Sequence, residues 1–254
     1  MVTRPEQQAG SLCDAIIKYG GSVIRFPLIE IQPIKMSDEA DKILQQLDQI
    51  DMLIFISANA VRLGLPVLQQ INTKLSNKTI TAIGNATTKA LEEFHISVDI
   101  KPEPPYNSES LLALSGMQQV AGKNILIIKG EGGREYLGDE LKNRGAQVRY
   151  LDTYQRIMPD NNIEDLVRQW HQGKINIVTT SSVEALNNLS LLLGESNAAL
   201  LKQTPQVVMS QRMFEHTQEA GIIAPVIVAT EASDEGVVEA LGKLVNATSG
   251  VKYE

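Results

Sequence analysis

Short apolar runs alternate with segments of helical periodicity along almost the whole of this 254-residue chain. Turn residues bound each run, which is typical of strands that helices cover on both faces of a parallel sheet. Regular alternation of strand and helix predicts doubly wound parallel sheets in an α/β fold. The predicted strands are residues 22–26, 52–56, 79–83, 124–128, 147–151, 175–179, 206–209 and 225–228.

So many strands favour two domains over one sheet. Two extended segments break the alternation, namely Pro27–Pro33, which is bounded by prolines, and Asp152–Pro159, which ends in one. We expect them to pair as a two-stranded linker, and such a crossing makes a hinged clamshell with a ligand cleft between its domains. A single extended sheet is the alternative. The predicted domains are 1–27 plus 160–254 and 34–152, with linker strands 28–33 and 153–159.

Composition limits the classes of function. A hydrophobic content of 43% with 21% charged residues predicts a soluble globular protein with a proper core. Aromatic residues make up 4% and the net charge is −7, which together disfavour a nucleic-acid surface. The single cysteine, Cys13, excludes an internal disulfide and lies in a helical pattern that predicts burial. We find no signal peptide and no run of about 18 apolar residues, so we expect a cytoplasmic protein without membrane contact.

The predicted strand ends carry the candidate binding residues, because ligands of open α/β sheets bind outside the carboxyl ends of the strands. These ends are rich in Ser, Thr, Asn and Gly, and helices that begin there add free backbone N–H groups. The pattern predicts a receptor for a molecule with many carboxylates. Each polar residue alone could equally be a helix N-cap, and each arginine merely exposed. The candidates are Thr3, Arg4, Ser57, Ala58, Asn59, Gly84, Asn85, Thr87, Gly130, Gly132, Arg134, Ser181, Ser182, Ser210 and Arg212.

Familiar catalytic motifs are missing from the sequence. The Gly130–Gly133 run lacks the Lys-Ser or Lys-Thr of a P-loop, and Glu135 stands where a dinucleotide fingerprint needs its third glycine. The three histidines pair with no Asp or Cys constellation, so we expect neither a catalytic triad nor a metal site.

Tyr154 is the candidate catalytic residue. It lies in the second linker segment, where strand alternation would aim its ring to one side of the ribbon and allow it to reach the cleft. A phenol there could donate a proton or hydrogen bond to a departing hydroxyl. The alternative is a half-buried aromatic that only packs against one domain.

The ordered motifs resemble those of the uroporphyrinogen-III synthase family. The resemblance covers nearly the whole chain, and the order and spacing of its pieces make it specific. The matching pieces are Val2-Thr3-Arg4-Pro5, Phe55–Val61, Ile83-Gly84-Asn85-Ala86-Thr87, Ser108–Leu112, Gly130–Arg134, Asp152–Arg156 and Thr180-Ser181-Ser182.

This resemblance implies two flavodoxin-like α/β domains joined by a two-stranded linker. It implies cofactor-free conversion of hydroxymethylbilane to uroporphyrinogen III through azafulvene and spiro intermediates, with inversion of ring D. By the same resemblance Tyr154 is the favoured catalytic residue, Thr87 is the threonine of the Gly-Asn-Ala-Thr phrase, and Ser57 and Ser181 are cleft positions. We further expect a monomer that makes transient contact with the preceding deaminase.

Two other functions remain open at this point. A hinged pair of α/β domains could bind a small anionic ligand without converting it, and calorimetry would then show the ligand unchanged. A nucleotide-dependent enzyme on the same fold is disfavoured by the missing glycine fingerprint.

Overall fold

A computed structural model of the protein describes residues 1–70 and 75–249. Parts of the predicted domains, at 71–74 and 250–254, lie outside the described residues. The regular elements are, in chain order, α1 Glu6–Lys18, β1 Glu30–Pro33, α2 Asp38–Gln45, β2 Met52–Phe55, α3 Ala58–Gln70, β3 Thr79–Ala82, α4 Asn85–Glu93, α5 Ser108–Ala113, β4 Asn124–Gly130, α6 Tyr136–Asn143, β5 Gln147–Ile157, α7 Ile163–His171, β6 Val178–Thr180, α8 Val183–Lys202, β7 Gln206–Val208, α9 Gln211–Glu219, β8 Val226–Val228 and α10 Asp234–Ser249.

The chain divides into two compact units. The middle unit is Ile31–Arg156, and the terminal unit combines Met1–Glu30 with the chain from Ile157 onward. The chain leaves one unit for the other within β1 and at the end of β5, and these two strands are neighbours in one sheet. Both units combine parallel strands with helices, which confirms the predicted α/β class with parallel sheets.

The middle unit contains a five-stranded sheet of order β1-β5-β4-β2-β3. The pairs β2/β3, β2/β4 and β4/β5 are parallel. Residue alternation sends Leu53 and Phe55 into a core with α3 and α4, and Met52 and Ile54 into a second core with α5 and α6. Helices on both faces make this a doubly wound sheet.

The terminal unit contains a parallel sheet of order β6-β7-β8. Val2 extends it by bridging Thr179 on one side and Arg25 on the other. The resulting order, second-first-third-fourth-fifth in chain sequence, is that of flavodoxin-like sheets. Helices α1 and α10 cover one face, where Cys13 is buried as the sequence predicts.

Three strand predictions differ from the structure. Of the predicted strand 175–179, only Val178 and Thr179 lie in β6, which ends at Thr180. The predicted strand at 22–26 is reduced to a bridge at Arg25, because Val2 is the residue with which it pairs. Val2 N donates to Ile24 O, and Phe26 N donates to Val2 O. The predicted strand 147–151 continues into the second linker segment as one strand, β5, which ends at Ile157 and not at the predicted residue 159.

Within residues 1–70 and 75–249, no helix combines the length and the apolarity that a bilayer crossing requires.

Candidate functional site

The middle unit has a switch point between β2 and β4. These strands are neighbours, yet β2 continues into α3 on one face while β4 continues towards α6 on the other. A crevice forms where neighbouring parallel strands connect to opposite faces, and ligands bind there. Ser57 follows β2, and Gly130 ends β4, so both predicted residues border this crevice.

A β-bulge in β5 aims Tyr154 at the same crevice. The register pairs Lys129 with Asp152 but Gly130 with Tyr154, so Thr153 is an extra residue in β5. Leu151 and Tyr154 consequently share the core beneath α3, whereas regular alternation would place residue 154 with Tyr150 on the opposite face. Tyr154 is only 4% exposed.

Gly130 makes room for the ring of Tyr154. A Cβ at position 130 would lie 2.5 Å from Tyr154 Cζ and 2.6 Å from Cε2, well inside carbon–carbon contact. Glu131 N donates to Tyr154 O at 2.7 Å and fixes the backbone beside it. The predicted binding residue Gly130 thus has a clear packing role: the phenol lies directly over the end of β4.

Ser57 connects Tyr154 to the beginning of α3. Its Oγ lies 3.0 Å from Tyr154 Oη and also accepts a hydrogen bond from Ala60 N at 3.0 Å. Ser57 is therefore an N-cap and a partner of the candidate catalytic phenol at once. The predicted residues Ala58 and Asn59 form the half-buried first turn of α3.

A second cluster lies at the end of β3, where α4 begins after Gly84 without a side-chain cap. Asn85 Nδ2 donates to Tyr106 Oη at 2.6 Å, and Lys101 Nζ donates to Asn85 Oδ1 at 3.2 Å. Thr87, one turn into the same helix, is buried.

Lys101 and Tyr106 were not predicted from the sequence. Ile100 bridges Thr81 of β3 in parallel, so Lys101 follows another strand position at the same edge. The alternation of polar and apolar residues at 97–100 was the signal that could have found it.

The loop after β4 begins at Glu131 and contains two glycines whose φ angles are positive, +72° at Gly132 and +90° at Gly133. Arg134 is exposed and pairs with Glu109 at 2.7 Å, and this hydrogen bond lowers the pKa of Glu109. Arg134, which was predicted to bind an anionic ligand, therefore has a carboxylate partner within its own unit.

The predicted residues of the terminal unit are mostly engaged in its own structure. Thr3 is buried and donates to Thr179 O at 2.8 Å, while Arg4 pairs with Asp234. Ser182 and Ser210 are N-caps, accepting from Ala185 N at 3.1 Å and Met213 N at 3.3 Å. Ser181 is half-buried, and Arg212 is exposed on α9.

Two solved structures share the fold. One is a mutant uroporphyrinogen III synthase from the extremely thermophilic bacterium Thermus thermophilus, with a TM-score of 0.65 at 14% identity, covering 97% of this chain and 98% of that one. The other is uroporphyrinogen-III synthetase from Helicobacter pylori 26695, with a TM-score of 0.59 at 18% identity over 87% of this chain and 92% of that one.

Sequence similarity to known proteins extends over most of the chain. The family described as uroporphyrinogen-III synthase HemD matches residues 11–239. The uroporphyrinogen-III synthase of Escherichia coli K12 is 30% identical over 243 residues, which are 95% of this chain and 98% of the relative. That of Synechococcus elongatus is 27% identical over 199 residues, 77% of this chain and 75% of the relative. The chain therefore belongs to the uroporphyrinogen-III synthase family.

Proposed function

We propose that this protein converts hydroxymethylbilane to uroporphyrinogen III, with Tyr154 as the proton donor to the departing hydroxyl. The observation that carries the reaction is the family match over residues 11–239. The Ser57–Tyr154 pair at the crevice of the middle unit supports the assignment of the proton donor.

The directions of the hydrogen bonds favour an outward proton on Tyr154. Ser57 Oγ already accepts from Ala60 N, so its own proton is available to Tyr154 Oη. With Oη accepting from Ser57, the phenolic proton is left for the substrate. A phenolate formed on proton transfer keeps the Ser57 hydrogen bond and lies near the positive end of α3.

The first chemical step is the loss of water from the substrate. The phenolic proton passes to the substrate's hydroxyl, the carbon–oxygen bond breaks, and water leaves. The pyrrole nitrogen supplies the electron pair and gives its proton to solvent water, which returns a proton to the Tyr154 phenolate, and the substrate becomes the azafulvene. Ring D attacks the azafulvene carbon through its substituted carbon to form the spiro intermediate, and fragmentation and reclosure invert that ring. Formation of the type III isomer requires that the protein hold the flexible tetrapyrrole in one conformation, so catalysis depends on positioning of the substrate.

We propose that the strand-end turns hold the substrate's acetate and propionate groups. The backbone N–H groups at Ala58 and Asn59, at Gly84 and Asn85, and around Gly132 are suited to carboxylates because they donate without proton transfer. The net charge of −7 opposes the approach of a polyanion, but salt screens this repulsion beyond about 8 Å, so local donors decide binding.

We also propose a cytoplasmic monomer that receives substrate through transient contact with the preceding deaminase. Hydroxymethylbilane closes spontaneously to the type I isomer, so direct transfer from the deaminase limits the substrate lost in this way.

We propose the domain boundaries predicted from the sequence, 1–27 plus 160–254 and 34–152. They differ by a few residues from the boundaries of the compact units.

Product analysis tests the activity. Enzymatically made hydroxymethylbilane is supplied, and the oxidised porphyrin isomers are resolved. We expect the type III isomer to dominate, whereas type I product alone, at the spontaneous rate, would refute the activity.

Tyr154→Phe tests the proton donor. Loss of the phenolic proton should slow turnover by about tenfold or more, within the usual span for general acid catalysis. Turnover equal to that of the unsubstituted protein would remove Tyr154 from the mechanism and leave the activity itself standing.

A further inference from the structure

We propose that Lys101, Asn85 and Tyr106 form a carboxylate subsite of the middle unit, which binds one acetate or propionate group of the linear tetrapyrrole. The proposal rests on the function proposed above and adds Lys101 and Tyr106 to it. All three residues stand at the end of β3, the edge that also carries Ser57.

The chemistry of Lys101 orients every hydrogen bond in the cluster. An ammonium group only donates, so the atom of Asn85 that faces Lys101 at 3.2 Å is the carbonyl oxygen. The amide nitrogen must then face Tyr106 and donate to its Oη, at 2.6 Å. Because Oη accepts from Asn85, the phenolic proton of Tyr106 points away from the cluster.

The cluster consequently presents hydrogen-bond donors outward, because Asn85 Oδ1 and Tyr106 Oη each already accept a hydrogen bond within it. Lys101 retains two N–H bonds after donating to Asn85, and Tyr106 retains its O–H. Asn85 also begins α4, whose first turn has no side-chain cap. A group rich in acceptor oxygens and carrying negative charge fits such a set, and a carboxylate has four lone-pair sites for it.

Charge supports an external anion. Within the described part of the chain, Lys101 has no carboxylate within 4.0 Å, whereas Arg62, Lys129 and Arg134 of the same unit each pair with one. A cation held at the start of a helix also opposes the helix dipole, and a bound anion offsets that cost. Glu92 lines the depression of about 470 Å³ beside Lys101, so a carboxylate ligand is expected on the Tyr106 side.

Packing and the neighbouring turn hold Tyr106 in place before any ligand arrives. Tyr106 packs so closely on Gly84 that a Cβ there would lie 2.8 Å from Tyr106 Cβ. On the other side of Tyr106, Asn107 caps α5 by accepting from Ser110 N at 2.8 Å, and Ser110 Oγ bonds Pro105 O. Preorganised donors lose little freedom on binding, which favours affinity.

The test separates binding from chemistry with Lys101→Gln and Tyr106→Phe. For Lys101→Gln we expect KM for hydroxymethylbilane to rise about tenfold with kcat within about twofold, the scale of one hydrogen bond to a charged group. The affinity for uroporphyrinogen III, measured by fluorescence titration without turnover, should fall by the same factor. Tyr106→Phe should change KM in the same direction by a smaller factor.

Matched controls exclude general effects of charge and fold. Lys89→Gln removes an exposed charge from α4, and Tyr19→Phe removes an exposed phenolic hydroxyl; both should keep the original KM. Thermal unfolding must show that the Lys101 and Tyr106 variants are folded. Unchanged KM and product affinity in folded Lys101→Gln would overturn the subsite, as would an equal loss in Lys89→Gln.

Failure of the proposed function would look different, because the unsubstituted protein would then give only type I product. A substrate analogue in which a methyl group replaces one acetate sharpens the assignment further. If that acetate occupies the subsite, Lys101→Gln should no longer raise KM for the analogue. A full tenfold effect with every analogue that lacks one carboxylate would contradict binding of a single group.

Discussion

Replacing Gly130 with alanine forces a methyl carbon against the ring of Tyr154. The new Cβ would lie 2.5 Å from Cζ, 2.6 Å from Cε2 and 3.0 Å from Oη. Carbon atoms pack at about 3.5–4.0 Å, so the ring must retreat by about 1 Å. The Ser57 Oγ–Tyr154 Oη distance is 3.0 Å now, and a shift of that size breaks the hydrogen bond. A misplacement of about 1 Å in a catalytic group costs on the order of 100-fold in rate.

Turnover of hydroxymethylbilane to the type III isomer measures this effect. We expect kcat to fall by about 100-fold in Gly130→Ala, with a loss of about 1–3 kcal/mol in the free energy of unfolding from overpacking. Gly10→Ala is the control, because a Cβ at Gly10 meets no atom within 4 Å. In a Tyr154→Phe background Gly130→Ala should cost little more, since both changes act through one phenol. A normal kcat in Gly130→Ala, or an equally large loss in the Tyr154→Phe background, would refute the reasoning.

Three further outcomes are expected. Ser57 caps α3, and Ser37 caps α2 by accepting from Ala40 N at 3.1 Å, so Ser57→Ala and Ser37→Ala should each cost about 1 kcal/mol in urea unfolding. Only Ser57→Ala should also slow turnover, and the same turnover in both variants would contradict the link to Tyr154. Gly64→Ala puts a Cβ 2.6 Å from Ile128 Cγ2 and 3.1 Å from Thr153 Cγ2, so it should lower the urea midpoint. An unchanged midpoint would mean that β4 and β5 give way to the added methyl group. Burial raises the pKa of Tyr150 above its ordinary 10.0, so the stability it contributes is present below that pH and is lost as pH rises through the folded-state pKa. Tyr150→Phe should weaken this alkaline loss, measured by unfolding from about pH 8 to about pH 11, and an identical pH profile would count against it.

Strand prediction succeeded where burial alone decides. Met52–Phe55 is buried at every position, and a continuous apolar run between turns records that burial directly. The strand predicted at 22–26 failed because pairing depends on the partner: Arg25 can bond only to the short ladder around Val2. Apolar pattern reports the faces a segment covers, but not how much partner strand is available.

The candidate site shows the same limit. Ser57 and Asn85 were predictable because each lies between a strand and a helix, and the local sequence shows both the strand end and the helix start. Lys101 and Tyr106 were missed, because their hydrogen bonds to Asn85 span 16 and 21 residues of sequence. Of the two, Lys101 follows the polar–apolar alternation at 97–100, whereas no such pattern precedes Tyr106. Ser182 and Ser210 were predicted as ligand donors, and the structure shows both as helix N-caps.

The sequence by itself determined the α/β class, the parallel strands and the edge where polar residues collect, because hydrophobic periodicity records burial one residue at a time. Only the tertiary structure decided which way Tyr154 faces. The extra residue Thr153 shifts the register of β5 against β4 and turns the phenol onto the α3 face, beside Ser57. Register is a property of two strands packed together, so alternation within β5 could not reveal it.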